Sequence, residues 1–317
     1  MAEDLHVLFG AGQVGTLLAQ QLVREGKRVR VAKRAPKGMA PGIEAVAGDA
    51  LDPAFCLRAA EGARTLYHCM NPPYDTAVWA ATLPRLMDNL IAAAARIKAR
   101  LVVLDNVYML GRPNGRALNE DSPVQPCSRK GEIRARVAET LFAAHQRGDV
   151  LATSGRASDF YGPGAVASFM GDWYWPATLA GKPVRLPIDP DAVHSYHYTP
   201  DVAAGLAALG CADDDAYSRP WMLPCEPAPT LRALTQRCSQ QLGRDIRLAP
   251  LPIWVLKTAG VFMPLMRELI EMRYQWDAPF VVDDSRFRAR FGLQPTPAEP
   301  AAAATVAWAR RHYAAGA

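Results

Sequence analysis

The segment Gly10-Ala11-Gly12-Gln13-Val14-Gly15 constrains this chain more than any other part of it. The glycines are spaced G-x-G-x-x-G. They lie between an apolar run, Leu5–Phe9, and a stretch, Thr16–Glu25, where Leu17, Leu18, Leu22 and Val23 form a stripe at helical spacing. A strand that turns straight into a helix presents free N–H groups to an anion. In the dinucleotide-binding version, the first glycine permits the turn and the second lets backbone approach a pyrophosphate. The third lets the helix pack on the strand. Gly10, Gly12 and Gly15 hold those places, with Gln13 and Val14 between them, and Gly26 closes the helix.

Alternating signals continue beyond this unit. Strands are predicted at Arg28–Ala32, Ile43–Ala47, Thr65–Cys69, Leu101–Asp105 and Leu151–Arg156. Helices are predicted after Asp52-Pro53, over Trp79–Ile97 and over Glu132–His145. The pattern predicts an α/β chain: a Rossmann doubly wound parallel sheet over residues 1–160, with a smaller C-terminal substrate domain over residues 161–317. That second region is expected to be interleaved with the last strands of the sheet. It opens on glycine, proline and aromatics from Phe160 to Pro200. Helices follow near Thr230–Leu242 and Ile253–Tyr274, and further helix starts lie at Asp284-Ser285 and Pro297-Ala298.

Charged residues make up 21% of the 317, and the net charge is +5, so neither wholesale disorder nor nucleic-acid binding is expected. The longest apolar candidate, Leu251–Met266, is short and holds Lys257 and Pro264, so a core helix near a pocket is expected and no membrane span. The start has no basic or apolar leader pattern. The six cysteines form no C-x-x-C pair and the six histidines no H-x-x-x-H pattern. Reduced thiols in a cytoplasmic protein without a metal are therefore the expectation.

The end of the second strand bears on the cofactor. A site for NAD usually places an acid there to hold the ribose hydroxyls. This chain has Lys33 and Arg34, which suit the 2′-phosphate of NADP(H), so NADP(H) is favoured over NAD(H). Asp49 and Ala50 follow the third strand. Asp49 could meet the adenine edge or cap the helix near Asp52. Met70 and Asn71 follow the fourth strand and should rim the crevice, with Tyr74 beyond them.

These residues carry a resemblance to the short-chain dehydrogenase/reductase superfamily, in particular to its extended and atypical epimerase/dehydratase-like members. The similarity covers nearly the whole chain. It rests on Gly10–Gly15, Gly48-Asp49, the run from Leu104 to Gly111, Asn119–Pro123, Arg156–Gly164 and Tyr198–Ala203. The resemblance implies that the segment Arg156–Gly164 lies beside the nicotinamide and substrate. Active members use a serine, a tyrosine and a lysine four residues after the tyrosine. Here the matching positions are Asn106, Cys127 and Gly131. Three readings follow. Tyr108, two residues past Asn106, could serve as the acid if the strand continues and nearby cations lower its pKa. Cys127 could be a weak acid or a nucleophile, though no activating base is evident. Otherwise the protein binds NADP(H) without turnover. Lys130 is one residue off the lysine position, about 100° around a helix. Asn106 could orient a substrate carbonyl or be a turn residue at a strand end.

On the substrate side, Tyr74, Arg156, Tyr161, Trp173, Tyr196 and Trp276 are the candidate lining residues, with His194 and His197 as further acid/base groups. Walls so rich in aromatics suit a small, moderately apolar carbonyl-type substrate. The leading expectation is an NADP(H)-dependent oxidoreductase with a non-standard site. The alternatives are a silent sensor or scaffold and a nucleotide-sugar epimerase or dehydratase. A homodimer is left open.

Overall fold

The computed structural model describes residues 4–36 and 38–314. Residues 1–3, which enter the reading of the chain's start, and residues 37 and 315–317 lie outside the described residues. Seven parallel strands make the central sheet. They are β1 (Leu5–Phe9), β2 (Arg28–Lys33), β3 (Ile43–Ala47), β4 (Thr65–His68), β5 (Arg100–Asp105), β6 (Ala152–Arg156) and, from the second half of the chain, β10 (Pro220–Met222). Three short strands fall between the last two: β7 (Asp159–Tyr161), β8 (Val184–Leu186) and β9 (Tyr196–Tyr198). β7 pairs with β9, and β8 pairs with β11 (Leu248–Pro250).

The sheet order is β10-β6-β5-β4-β1-β2-β3. It runs one way from β1 and the other way from β4, so the carboxyl ends of β1 and β4 flank the crevice where ligands bind in such sheets. β1 is buried throughout, as a central strand covered on both faces must be, whereas the edge strand β3 is largely exposed.

Helices α1 (Gly15–Arg24) and α6 (Thr199–Cys211) cover one face, where Leu8, Leu18, Val31, Val102, Val202 and Leu206 are buried together. Helices α2 (Pro53–Ala60), α3 (Thr76–Ile97) and α4 (Arg129–Gln146) cover the other, over Val7, Phe9, Leu66, Trp79 and Leu141. A third cluster joins α5 (Trp175–Leu179), α7 (Leu231–Leu242) and α11 (Ala298–Ala314) around Trp175, Leu234 and Ala302.

Caps, more than apolar periodicity, set where helices begin. Asp52, Asp75 and Ser128 accept from the backbone N–H of Ala54, Val78 and Gly131. Each such cap stabilises its helix by about 1 kcal/mol. α3 and α4 therefore each start three residues before the expected position, at Thr76 and Arg129 in place of Trp79 and Glu132.

The helix expected over Ile253–Tyr274 is two helices, α8 (Ile253–Ala259) and α9 (Pro264–Met272). Pro264 opens α9, and the residue before it, Met263, is extended (φ −117°, ψ 104°), as a residue preceding proline prefers. The core helix expected over Leu251–Met266 is core only in part: Leu256 and Met266 are buried. Trp254, Val261, Phe262, Met263 and Leu265 are exposed at its tip. The last described helix before α11 is α10 (Ser285–Phe291). Among the described residues no helix is long and apolar enough to cross a membrane.

Candidate active site

The glycine loop lies at the carboxyl end of β1, against the end of β4. Gly10 has φ +97°, and a β-carbon there would fall 2.8 Å from Met70 Cγ and 3.0 Å from the Cys69 carbonyl. A β-carbon on Gly15 would fall 2.2 Å from the Gly10 oxygen. Both positions are closed by the protein itself. Gly12 is different: a β-carbon there would meet nothing within 4 Å. Val14 precedes α1 with its side chain buried and makes no side-chain cap, so the helix start faces outward with backbone groups only. Gln13 does not point its amide into this space. Its Oε1 accepts from Ala167 N (2.9 Å) and fastens the turn after Gly164 over the loop. The cradle has the form a pyrophosphate needs: backbone at the open glycine, close packing at the other two.

Lys33 is the last residue of β2 and Arg34 follows it, exposed. β2 is tied to the loop by Gly10 N donating to Ala32 O (3.1 Å), so the two cations flank the cradle. Asp49 is exposed, and its Oδ1 accepts from Leu51 N (3.0 Å). Asp52, not Asp49, caps α2. Ala50 is buried and its carbonyl accepts from Asn89 Nδ2 (2.8 Å). Asn71 is exposed, and its Oδ1 accepts from Arg134 Nη2 (2.8 Å).

Strand β5 ends at Asp105, so Tyr108 does not continue it, contrary to the sequence expectation. Asn106 Oδ1 accepts from Tyr108 N (3.0 Å), and Tyr108 opens a single 3₁₀ turn over Tyr108–Leu110. Asn106 is thus the turn residue that aims Tyr108. The Tyr108 ring stacks on Trp79 (6.2 Å, 11°), and its hydroxyl lies 3.5 Å from that of Tyr74. Burial, then the charge of Asp159, push the Tyr108 phenol up to about 12, while Arg134 acts against them. Arg134 lowers this phenol but is outweighed, so the net shift is upward and not the downward one the sequence reading had required. Arg134 itself is buried. Its Nη1 is 3.3 Å from Asp105 Oδ1, and its guanidinium lies 4.7 Å from the Trp79 ring centre.

Cys127 is exposed, and burial of its thiol raises its pKa, opposed by Arg112. It is held as a thiol, not as a nucleophilic thiolate. Gly131 lies where a β-carbon would be 2.6 Å from the Tyr108 carbonyl. Lys130 is fully buried and ion-paired with Glu268 of α9. It donates to Thr76 Oγ1 (3.0 Å), and its ammonium lies over the Tyr74 ring at 4.5 Å. Lys130, Thr76 and Glu268 therefore clamp α4, α3 and α9 together. Arg156 is buried at the end of β6, and Asp105 and Glu120 offset the cost of burying its charge.

The remaining candidates divide. Tyr161 and Tyr196 are buried in the core, where Tyr161 packs on Tyr198 (5.3 Å) and Tyr196 on His194 (4.6 Å). Trp173 and Trp276 both meet Phe169 edge-on, at 6.4 and 4.7 Å. His197 is structural. Its Nδ1 accepts from Ser158 N (3.1 Å), its Nε2 lies 3.1 Å from Leu223 O, and burial takes its pKa down to about 4. His194 differs, because its Nε2 lies 3.1 Å from Asp159 Oδ2. Trp276 Nε1 donates to the same oxygen (2.5 Å). Asp159, Arg134 and Glu268 were not among the sequence candidates. No motif spacing singles any of them out. Among the described residues no group of three or more metal-ligating side chains could hold an ion.

A doubly wound parallel sheet with a glycine cradle at the reversal of strand order defines a Rossmann-type protein. The chain belongs to the NAD dependent epimerase/dehydratase family, whose model matches residues 7–217. No curated protein matches it. Solved structures share its fold at low identity. UDP-glucuronic acid 4-epimerase from Bacillus cereus, in complex with UDP-glucuronic acid and NAD, is 15% identical with a TM-score of 0.79, over 98% of this chain and 100% of that one. The dTDP-glucose 4,6-dehydratase of Streptomyces venezuelae, with NAD bound, is 19% identical with a TM-score of 0.78, over 98% of each chain. UDP-glucose 4-epimerase from Thermus thermophilus, with NAD, is 20% identical with a TM-score of 0.75, over 97% of this chain and 99% of that one.

Proposed function

We propose that this chain is an NADP(H)-dependent reductase of a small, moderately apolar carbonyl compound, with Tyr108 as its proton donor. The observation that carries the reading is the pairing, on one sheet edge, of the open Gly12 cradle beside Lys33 and Arg34 with the Tyr108 phenol beyond β5. Gly10, Gly12 and the N–H groups before α1 would hold the pyrophosphate, and Lys33 and Arg34 the 2′-phosphate. A nicotinamide cofactor, when bound, supplies hydride chemistry.

The chain's own part concerns the proton. A phenol at about 12 stays protonated at neutral pH, which suits donation to a developing alkoxide and not abstraction from an alcohol. Asn106 fixes the turn that presents it, and Trp79 holds its ring flat. The edge-on aromatics Phe169, Trp173 and Trp276 supply apolar walls. NADPH oxidation assayed across aldehydes, ketones and imines tests this reading, and background rates throughout would end it.

A second reading, a nucleotide-sugar epimerase or dehydratase, draws on the family and on the UDP- and dTDP-sugar enzymes that share the fold. Titration with UDP- and dTDP-sugars separates the two. A protein that binds NADPH but turns over nothing in either panel would be a sensor or scaffold.

A further inference from the structure

We propose that the tip between α8 and α9 docks on an anionic lipid bilayer, lying in its interface without crossing it. This surface is independent of the reaction assigned above. Val261, Phe262 and Met263 stand exposed at the tip, Phe262 at 84%, with Trp254 (65%) on α8 and Leu265 on α9. These are five of the eight large hydrophobic side chains exposed among the described residues. The other three, Leu57, Val124 and Val193, lie in separate segments. Single exposed hydrophobics are ordinary, but a contiguous group of them marks an interaction surface. The inner side of the hairpin is already occupied, because Leu256, Met266, Leu269 and Met272 are buried in the third cluster. The outer side is left for a partner.

The backbone of the turn suits lipid. Gly260 N donates to Leu256 O (2.8 Å) and Val261 N to Thr258 O (3.3 Å). Phe262 N and Met263 N both donate to Ala259 O (3.1 and 2.8 Å), and Pro264 has no N–H to satisfy. The tip can thus leave water without orphaning these donors, which hydrocarbon penalises heavily.

Its charge suits an anionic surface. From Ile246 to Arg267 the chain holds three cations and no carboxylate. Two of the cations collar the tip. A β-carbon on Gly260 would fall 3.3 Å from Arg267 Cγ and 3.5 Å from the Lys257 carbonyl, so both residues stand at the base of the turn. Both are exposed, and neither has a carboxylate partner among the described residues. Long stems let such cations reach headgroups while an apolar tip sits deeper, and an indole such as that of Trp254 is suited to the headgroup level. An apolar end with a basic collar is the pattern of a protein that lies on an anionic membrane. A second copy of the chain fits less well. A two-fold contact sets one patch against itself, and here that brings Lys257 and Arg267 towards their own kind.

Sedimentation of the full chain with lipid vesicles tests this. Binding is expected to phosphatidylcholine vesicles that contain phosphatidylserine, and weaker binding to phosphatidylcholine alone. Phe262→Ser/Met263→Ser should weaken binding by about tenfold or more, with the melting temperature unchanged because both side chains are exposed. Lys257→Gln/Arg267→Gln should weaken binding to the phosphatidylserine vesicles by about tenfold or more and leave binding to phosphatidylcholine as it was. Brominated lipid should quench the parent's tryptophan fluorescence, and quench it less in Trp254→Phe. No sedimentation with phosphatidylserine vesicles, or binding that survives Phe262→Ser/Met263→Ser, would overturn the proposal. So would a dimer of the parent in solution that the same variant dissociates, since the tip would then belong to a second copy.

Discussion

The α-carbon of Gly131 faces the Tyr108 carbonyl so closely that a β-carbon there would stand 2.6 Å from that oxygen. This contact packs the first turn of α4 onto the 3₁₀ turn carrying Tyr108, and it fills with backbone the place where the family resemblance calls for a lysine. Every side chain starts with the same β-carbon, so no lysine can be installed there without parting the two turns.

The first prediction concerns that contact. Alanine for glycine inside a helix ordinarily stabilises by about 1 kcal/mol. Here the neighbour is a carbonyl and the next nearest atom is the capping Ser128 Oγ at 3.0 Å, neither of which can swing away freely. Overpacking of this kind costs about 1–3 kcal/mol. Gly131→Ala should therefore lower the urea midpoint. A raised midpoint would mean that α4 and the Tyr108 turn slide apart easily.

Two glycines of one loop should respond in opposite ways. Gly15→Ala would drive a β-carbon into the Gly10 carbonyl and should destabilise the fold outright. Gly12→Val meets no protein atom within 4 Å of its β-carbon, so the melting temperature should hold while NADPH binding is lost. Thermal melts beside calorimetric titrations decide it. Unimpaired binding in Gly12→Val would move the pyrophosphate away from this cradle.

Acid should unfold the protein in a defined window. His68 is buried with its Nδ1 accepting from Met70 N (3.2 Å), and burial followed by the charge of Arg134 takes its pKa down to about 3. Burial takes His197 down to about 4. Both imidazoles are neutral in the fold and bind a proton in the unfolded chain near pH 6.5. The unfolded state thus holds more protons below that pH. The stability from these residues is full above about pH 6.5 and falls by about 1.4 kcal/mol per unit for each histidine as the pH drops toward 5. Urea unfolding at pH 7.5 and pH 5 should show the loss. Equal stability at both would mean that these histidines are hydrated in the fold.

Tyr108→Phe keeps the stack on Trp79 and removes only the hydroxyl. With an active substrate in hand, it should cut the reduction rate by about 10²–10⁴-fold. NADPH affinity should be unchanged. A rate within a few-fold of the parent would remove Tyr108 from the proton step.

The Rossmann half of the fold was legible because its signals are local. Leu5–Phe9, the glycine loop and the apolar stripe of α1 lie within some twenty residues, and each helix–strand alternation repeats the logic. The tip at residues 260–263 was less so, because apolar composition favours one helix while the backbone restriction before Pro264 divides it. The active site was legible only where a motif carries it. Tyr108 was singled out by its distance to Asn106, but its aim depends on the end of β5, which the local pattern does not mark. Asp159, His194 and Trp276 lie 35 and 82 residues apart in succession and meet only through tertiary packing. No local spacing could have joined them.

The central claim is that Lys33 and Arg34, beside the open Gly12, select a dinucleotide carrying a 2′-phosphate. Paired calorimetric titrations with NADPH and NADH, on the parent and on Lys33→Ala/Arg34→Ala, test it most directly. The account predicts tighter NADPH binding by the parent. Charge-assisted hydrogen bonds each contribute about 1.5–3 kcal/mol, so the double variant should lose that preference by about tenfold or more with NADH affinity unchanged. NADH binding at least as tight as NADPH in the parent would contradict it.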